Sequence, residues 1–173
     1  MRTQPHDSRR RTRGFTLVEL AVVVAVASIL TTVAVPSFET FMTNQRLKRV
    51  SQTLLLDVLY ARSEAIKLNT PVYMYPAGDD WNAGWVITTV SGKRFADCTA
   101  DSTGCLRMYE GTDDSQVTVT TATASMEFGQ MGRATADASF TVCNAPATRV
   151  ASKRVVRVEL SGHVATYREG QCA

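Results

Sequence analysis

The side chains able to do catalytic or metal chemistry in this sequence are few and badly spaced for it. Histidine occurs only at His6 and His163. His163 follows a turn glycine, and a general base needs a nucleophile and an orienting partner that the spacing does not supply. It reads as an exposed strand-end residue. Asp79-Asp80 and Asp113-Asp114 lack the D-x-[DN]-x-[DN]-G spacing of a calcium loop and read as solvated loop acids. Gly78, Gly92 and Gly104 are isolated, with no phosphate-cradling pattern. No C-x-x-C pair occurs among Cys98, Cys105, Cys143 and Cys172, so zinc-ligand spacing is absent. No cofactor or metal is expected, and no enzymatic activity.

The cysteines have another use. All four lie downstream of the apolar run described below, and an even number there suggests disulfides in an oxidising compartment. Four cysteines allow three pairings, and proximity favours Cys98 with Cys105 and Cys143 with Cys172. Near the C-terminus Arg149, Lys153, Arg154 and Arg157 cluster, with Arg168 beyond them. In an extended segment Arg149, Lys153 and Arg157 share one face, the arrangement of a phosphate-contacting stripe. Glu159 falls on the same face and no aromatic residues interleave, so DNA binding stands as a weak alternative.

One carboxylate is out of place. In "RTRGFTLVELAVVVAVASIL" Glu19 is the only charge within Phe15 to Val35. That run has the length of a bilayer core, about 31 Å as a helix against about 30 Å of hydrocarbon. A carboxylate there costs up to roughly 2.5–3.5 kcal/mol, less near the interface, and such a residue generally has a partner and a function. Arginines Arg2, Arg9, Arg10, Arg11 and Arg13 precede the run and hold the N-terminus on the cytoplasmic side. The first fourteen residues carry a net +4, leaving 14 basic and 15 acidic residues in the rest, so the overall charge of +3 belongs to the tail. A secretory signal peptide is the alternative, with Ala25-Val26-Ala27 as its cleavage site. It would leave apolar sequence at the new N-terminus and gives no reason for Glu19.

The elements that must hold these residues follow from periodicity. At 173 residues the chain is about one domain long. Pro36 should kink the apolar helix or loosen its hydrogen bonds. Beyond it Leu47, Val50, Leu54, Val58, Ala61, Ala65 and Leu68 recur at helical steps, with Arg46, Lys48, Arg49, Asp57, Arg62, Glu64 and Lys67 mostly off the stripe. Asn69-Thr70-Pro71 stops the helix. A heptad coiled coil is one use of the stripe; packing on the following strands is the better one. Strands are expected at 71–75, 84–90, 106–109, 117–121, 126–128, 139–143, 154–160 and 163–167, the last two joined by a Ser161-Gly162 hairpin. The stretch Asp97 to Asp114 otherwise reads as irregular loop. Trp85 is expected in the core, anchoring sheet to helix, whereas Trp81 and Trp85 together are also able to form an exposed patch. The architecture is α+β, a long helix on an antiparallel sheet.

Gly14-Phe15-Thr16-Leu17-Val18-Glu19, between arginines and an apolar helix, resembles the processing site of type IV prepilins and type II secretion pseudopilins. Ala61 to Lys67, Pro71-Val72, Gly84-Trp85, Phe128 to Arg133 and Val155 to Gly162 resemble the minor subunits of the GspH/FimT type, so the resemblance spans Arg11 to Cys172. It implies a pilin-like fold and a prepilin peptidase that cuts after Gly14 and methylates Phe15. It also implies that Glu19 serves filament assembly beside other pilins. The expected organisation is a cleaved leader (1–14), a membrane and filament-core helix (15–35), its amphipathic continuation (36–69) and a periplasmic or extracellular β-rich domain (70–173). The chain is expected as a single-pass inner-membrane protein, cytoplasmic at its N-terminus, that then joins a type IV pilus as a minor pilin. The alternative is an H-type minor pseudopilin of type II secretion. DNA-binding members carry a Gly-Arg-x-Arg signature where this chain has Gly162-His163-Val164-Ala165, without the arginines.

Overall fold

The computed structural model describes residues 15–98, 103–111, 117–144 and 152–172, without the side chains of 33–37. Gly14, the acids Asp113-Asp114, Arg149 and the expected disturbance around Pro36 lie outside that description. Helix α1 (Leu17–Leu68) crosses a division of the chain into two compact units, Met1–Glu39 and Thr40–Ala173.

In the first unit, α1 exposes its apolar side chains all round, from Phe15, Leu17 and Val18 to Ile29 and Leu30. Its hydroxyls are satisfied within the helix. Ser28 Oγ donates to the Val24 carbonyl at 2.8 Å, Thr31 Oγ1 to Ser28 at 2.8 Å and Thr32 Oγ1 to Ile29 at 2.7 Å. Such back-bonding leaves no side-chain hydroxyl in this stretch in need of water.

In the second unit the helical stripe is buried as its period requires. Leu47, Leu54, Val58, Ala61 and Ala65 are fully buried and Val50 nearly so. Each buried Leu or Val stabilises by about 1.5–3 kcal/mol. Leu68, expected to continue the stripe, is exposed. The helix ends there with Asn69 in the left-handed region (φ 49°) and Thr70 N–H donating to the Ala65 carbonyl.

Among the described residues eight strands follow, and they form two antiparallel sheets where one was expected. The first has the order β3 (Cys105–Glu110), β2 (Asp80–Thr88), β1 (Val72–Ala77), β5 (Met126–Phe128). The second has the order β4 (Val117–Thr120), β6 (Ala138–Asn144), β7 (Ser152–Val158), β8 (Val164–Gln171). Helix and both sheets share one core, which disposes of the coiled coil. Trp81 joins the sheets. It meets Phe140 edge-on at 4.8 Å, and its indole N–H donates to the Thr123 carbonyl at 2.9 Å. Both tryptophans are buried, so neither makes an exposed patch. β2 begins at Asp80, ahead of the expected Gly84, because Trp81 is a core residue. The stretch Asp97 to Asp114 holds β3 and the end of a 3-10 turn at Phe95–Asp97. The β7–β8 hairpin turns through Glu159 to His163, with Gly162 at φ 78°.

Two disulfides tie the strand ends: Cys98 to Cys105 with Cα atoms 5.9 Å apart, and Cys143 to Cys172 at 5.6 Å. They close sequence separations of 7 and 29 residues. Loop-closure entropy makes the longer loop the stronger constraint on the unfolded chain, by about 1 kcal/mol. Replacing Cys143 and Cys172 by serine is therefore expected to lower stability by that much more than replacing Cys98 and Cys105. Equilibrium denaturation of the two double variants under oxidising conditions measures the difference.

Candidate functional site

The first candidate is the start of α1. Thr16 precedes the first helical residue, and the Glu19 carboxylate folds back on it. Thr16 N–H donates to Glu19 Oε2 at 3.1 Å and Thr16 Oγ1 donates to the same oxygen at 3.2 Å. Glu19 N–H approaches Thr16 Oγ1 at 3.2 Å in return. This is a capping box, the T-x-x-E arrangement that satisfies free N–H groups at a helix N-terminus. Its signal stood in the sequence as Thr16-Leu17-Val18-Glu19. A carboxylate here also favours the positive end of the helix dipole. The carboxylate is thus pre-oriented at the helix start, exposed, with Oε1 taking no hydrogen bond among the described residues. Phe15 beside it is 85% exposed. Among the described residues no helix is long and apolar enough to cross a membrane; the described side chains of the apolar run stop at Thr32, short of its end at Val35.

A second cluster was missed in the sequence, where Asp57 counted with the off-stripe charges. Asp57 is fully buried and Glu64 nearly so. Asp57 Oδ2 accepts the indole N–H of Trp85 at 2.8 Å, and Arg107 Nη1 of β3 stands 3.1 Å from Oδ1 as an ion pair without hydrogen-bond alignment. Tyr60 lies 5.7 Å beneath the Arg107 guanidinium, and the Tyr109 ring stacks on Trp85 at 4.2 Å. Burial pushes the Asp57 carboxyl above the usual aspartate range, against the lowering effects of the Trp85 hydrogen bond and the Arg107 charge. Burial and the Asp57 charge likewise raise the Tyr109 phenol, with Arg49 opposing. The cluster locks helix to sheet, and it is where Trp85 anchors.

The C-terminal cations are only partly free. Arg157 Nη2 pairs with Glu169 at 2.5 Å over the Tyr167 ring, so tertiary structure supplies the aromatic that the linear sequence lacks. Arg168 Nη2 donates to Ser152 Oγ at 2.5 Å. A register break between Ser152 and Arg154 interrupts the alternation, and Arg154 sits opposite Arg168. Glu159 is in the hairpin turn instead of continuing the strand face. Elsewhere His163 is an exposed turn residue, and Asp79 pairs with Arg94 at 2.9 Å. Asp80 caps Asn82 N–H at 2.9 Å. Among the described residues no cluster of His, Cys, Asp and Glu is able to hold a metal ion.

Three separate motif segments meet at Arg62. A Cβ at Gly162 would lie 2.0 Å from the Gly132 carbonyl oxygen and 2.9 Å from Arg62 Nε. A Cβ at Gly132 would lie 2.6 Å from Ile66 Cδ1 and 3.2 Å from Arg62 Nε. Backbone blocks a Cβ at Gly162, and both glycines hold positive φ, 72° at Gly132 and 78° at Gly162.

A long N-terminal helix with a capped carboxylate near its start, continued into a helix–sheet core, is the build of a pilin-like subunit. The family model described as "Type II transport protein GspH" matches residues 50–162, and one described as "Prokaryotic N-terminal methylation motif" matches residues 9–35. The chain belongs to the GspH family and is a minor pilin or pseudopilin. In fold it is similar to the crystal structure of the type IV minor pilin FimU of Pseudomonas aeruginosa. The TM-score is 0.59 at 19% identity, over 77% of this chain and 99% of that one. A second crystal form of the same protein gives a TM-score of 0.55 at 18% identity, over 73% and 99%. The minor pseudopilin EpsH of the Vibrio cholerae type 2 secretion system gives 0.52 at 10% identity, over 70% and 95%. No curated protein sequence matches the chain.

Because folding raises the Asp57 pKa, the native state holds that proton to higher pH than the unfolded chain does. The Asp57 contribution is therefore most favourable below the unfolded pKa and is lost as pH rises through the folded one. Asp57→Asn, which keeps an oxygen for Trp85, is expected to gain stability relative to wild type as pH goes from acid to neutral. Asp57→Ala leaves the indole N–H without an acceptor and is expected to be about 1–3 kcal/mol less stable than Asp57→Asn at any pH. Denaturation midpoints of the three proteins across pH check both signs.

Proposed function

We propose that the chain is a prepilin, cut between Gly14 and Phe15 by a membrane prepilin peptidase and methylated on Phe15. The mature subunit then enters a type IV pilus as a minor pilin, helping to initiate the fibre or standing near its tip. The observation that carries this reading is Glu19, the lone charge of the apolar run, held at the helix start as the fifth residue of the proposed mature chain. Among the described residues its free oxygen meets no cation. The α-amine freed on Phe15 of a neighbouring subunit supplies one, so the desolvation of the carboxylate is offset only on assembly. Before assembly the chain is a single-pass inner-membrane protein with a periplasmic C-terminal domain. Two disulfides in that domain support an oxidising compartment and favour an extracellular fibre.

The second reading, an H-type minor pseudopilin of type II secretion, is favoured by the matching family, that of the type II transport protein GspH. Both readings share processing and assembly. Their mechanism is packing between subunits, as in pilin families generally, which are structural.

Gly14→Val is expected to block maturation, seen as an uncut precursor of higher mass on a gel; normal processing of that variant refutes the cleavage site. Glu19→Ala is expected to be inserted and cut normally yet to be depleted from sheared filaments by about tenfold, the effect of losing a buried charge partner. Wild-type incorporation of Glu19→Ala refutes the assembly role.

A further inference from the structure

The β7–β8 ladder breaks register once, and the break creates a like-charge pair. At the strand ends Ser152 faces Gln171, and continuing that register would set Arg154 against Glu169. The shift between Ser152 and Arg154 sets Arg154 against Arg168 instead, and β8 takes up its extra residue beside Gly170, at φ 47°. Glu169 pairs with Arg157. Residues directly opposite on an antiparallel pair hold their Cβ atoms about 4.5–5.5 Å apart, and like charges there repel. A regular ladder would have neutralised Arg154. The bulge puts a second cation beside it, and bulges are the device by which a strand re-aims a side chain for use.

No acid offsets the pair. Among the described residues Arg154 makes no ion pair or hydrogen bond, and Arg168 donates only from Nη2 to Ser152 Oγ at 2.5 Å. Ser152 N–H in turn donates to Asn44 Oδ1 at 3.2 Å, which brings α1 alongside. From Thr40 to Leu56 that helix has Arg46, Lys48 and Arg49 but no acid, and β7 has no acid either. The pair is also reachable. Arg168 is exposed, and Arg154 is half-buried with only its Nε enclosed, so both of its Nη nitrogens reach solvent.

Two guanidinium forks present two positive charges to one place. A carboxylate or a phosphodiester brings a single negative charge and would leave half of that unmatched. A phosphate monoester or inorganic phosphate carries about −1.5 to −2 at neutral pH, with three strong acceptor oxygens. That is enough for both forks. We propose that Arg154 and Arg168 form a binding site for a terminal phosphate group, supplied either as inorganic phosphate or as the monoester headgroup of an anionic lipid. The site lies within the globular unit and stands whether or not the chain joins a filament.

Thermal unfolding of the full chain in an uncharged detergent tests it, with inorganic phosphate set against sodium chloride at equal ionic strength. Phosphate well above its Kd is expected to raise the wild-type midpoint by about 2–4 °C. Arg154→Gln and Arg168→Gln are each expected to lose that shift, yet to be at least as stable as wild type in chloride because the repulsion is gone. Arg133→Gln, at an exposed arginine elsewhere, is expected to keep the shift. Short-chain phosphatidic acid, a monoester, and short-chain phosphatidylglycerol, a diester, separate the sources. A shift with phosphatidic acid at lower concentration than with inorganic phosphate assigns the lipid headgroup. A shift with inorganic phosphate at equal or lower concentration assigns the free ion. No shift with either overturns the site, and so does an equal shift in the two glutamine variants, which is a general salt effect. A shift as large with phosphatidylglycerol as with phosphatidic acid overturns the choice of a terminal phosphate.

Discussion

The globular half of this protein depends on one dry stripe along α1. Leu47, Leu54, Val58, Ala61 and Ala65 reach full burial only because two sheets share a core with them. A single four-stranded sheet offers one apolar face; here Trp81, in contact with Phe140, links the second sheet to the first. Ala61, Ala65 and Trp85 lie in that one core, and the Trp85 indole N–H is satisfied by Asp57. The buried carboxylate is tolerated because the Trp85 indole N–H and the Arg107 charge meet it. Removing either would leave a charge in the core, so Asp57, Trp85 and Arg107 form a unit.

The N-terminal part of the helix obeys the opposite rule. Among the described residues it has no partner face within its own unit, and Ser28, Thr31 and Thr32 bond back to the helix. Exposed apolar surface of that extent in a folded chain calls for a cover from lipid or from other subunits. The capping box reconciles Glu19 with this setting: the same residue that stands as a charge in an apolar run finishes the helix start and leaves an oxygen for a partner. Helix cap and the proposed intersubunit contact are then two uses of one side chain.

Much of this was legible in the chain because it is local. The helix stripe, its stop at Asn69, the strand runs and the hairpin at Gly162 are patterns within a few residues. Thr16 and Glu19 were equally legible as T-x-x-E but are overshadowed by the cost of the charge. The division into two sheets was hidden, since short strands announce themselves but not their neighbours. Asp57 and Glu64 resembled the solvated charges around them; their burial comes from the width of the face that the sheets cover. Nor does sequence spacing show that Arg157 lies over Tyr167 or that Glu169 neutralises it.

By itself, then, the sequence determined where the chain is apolar, where it is helical, where it turns and where a glycine stands before a carboxylate-bearing helix. These properties depend on neighbours along the chain. The tertiary structure alone decided which charges are satisfied. Trp85 and Arg107 reach Asp57, and Gly132 and Gly162 close on Arg62 without offering it an acid. Pairing and desolvation are set by neighbours in space, and residues from distant strands become neighbours only when the core is formed.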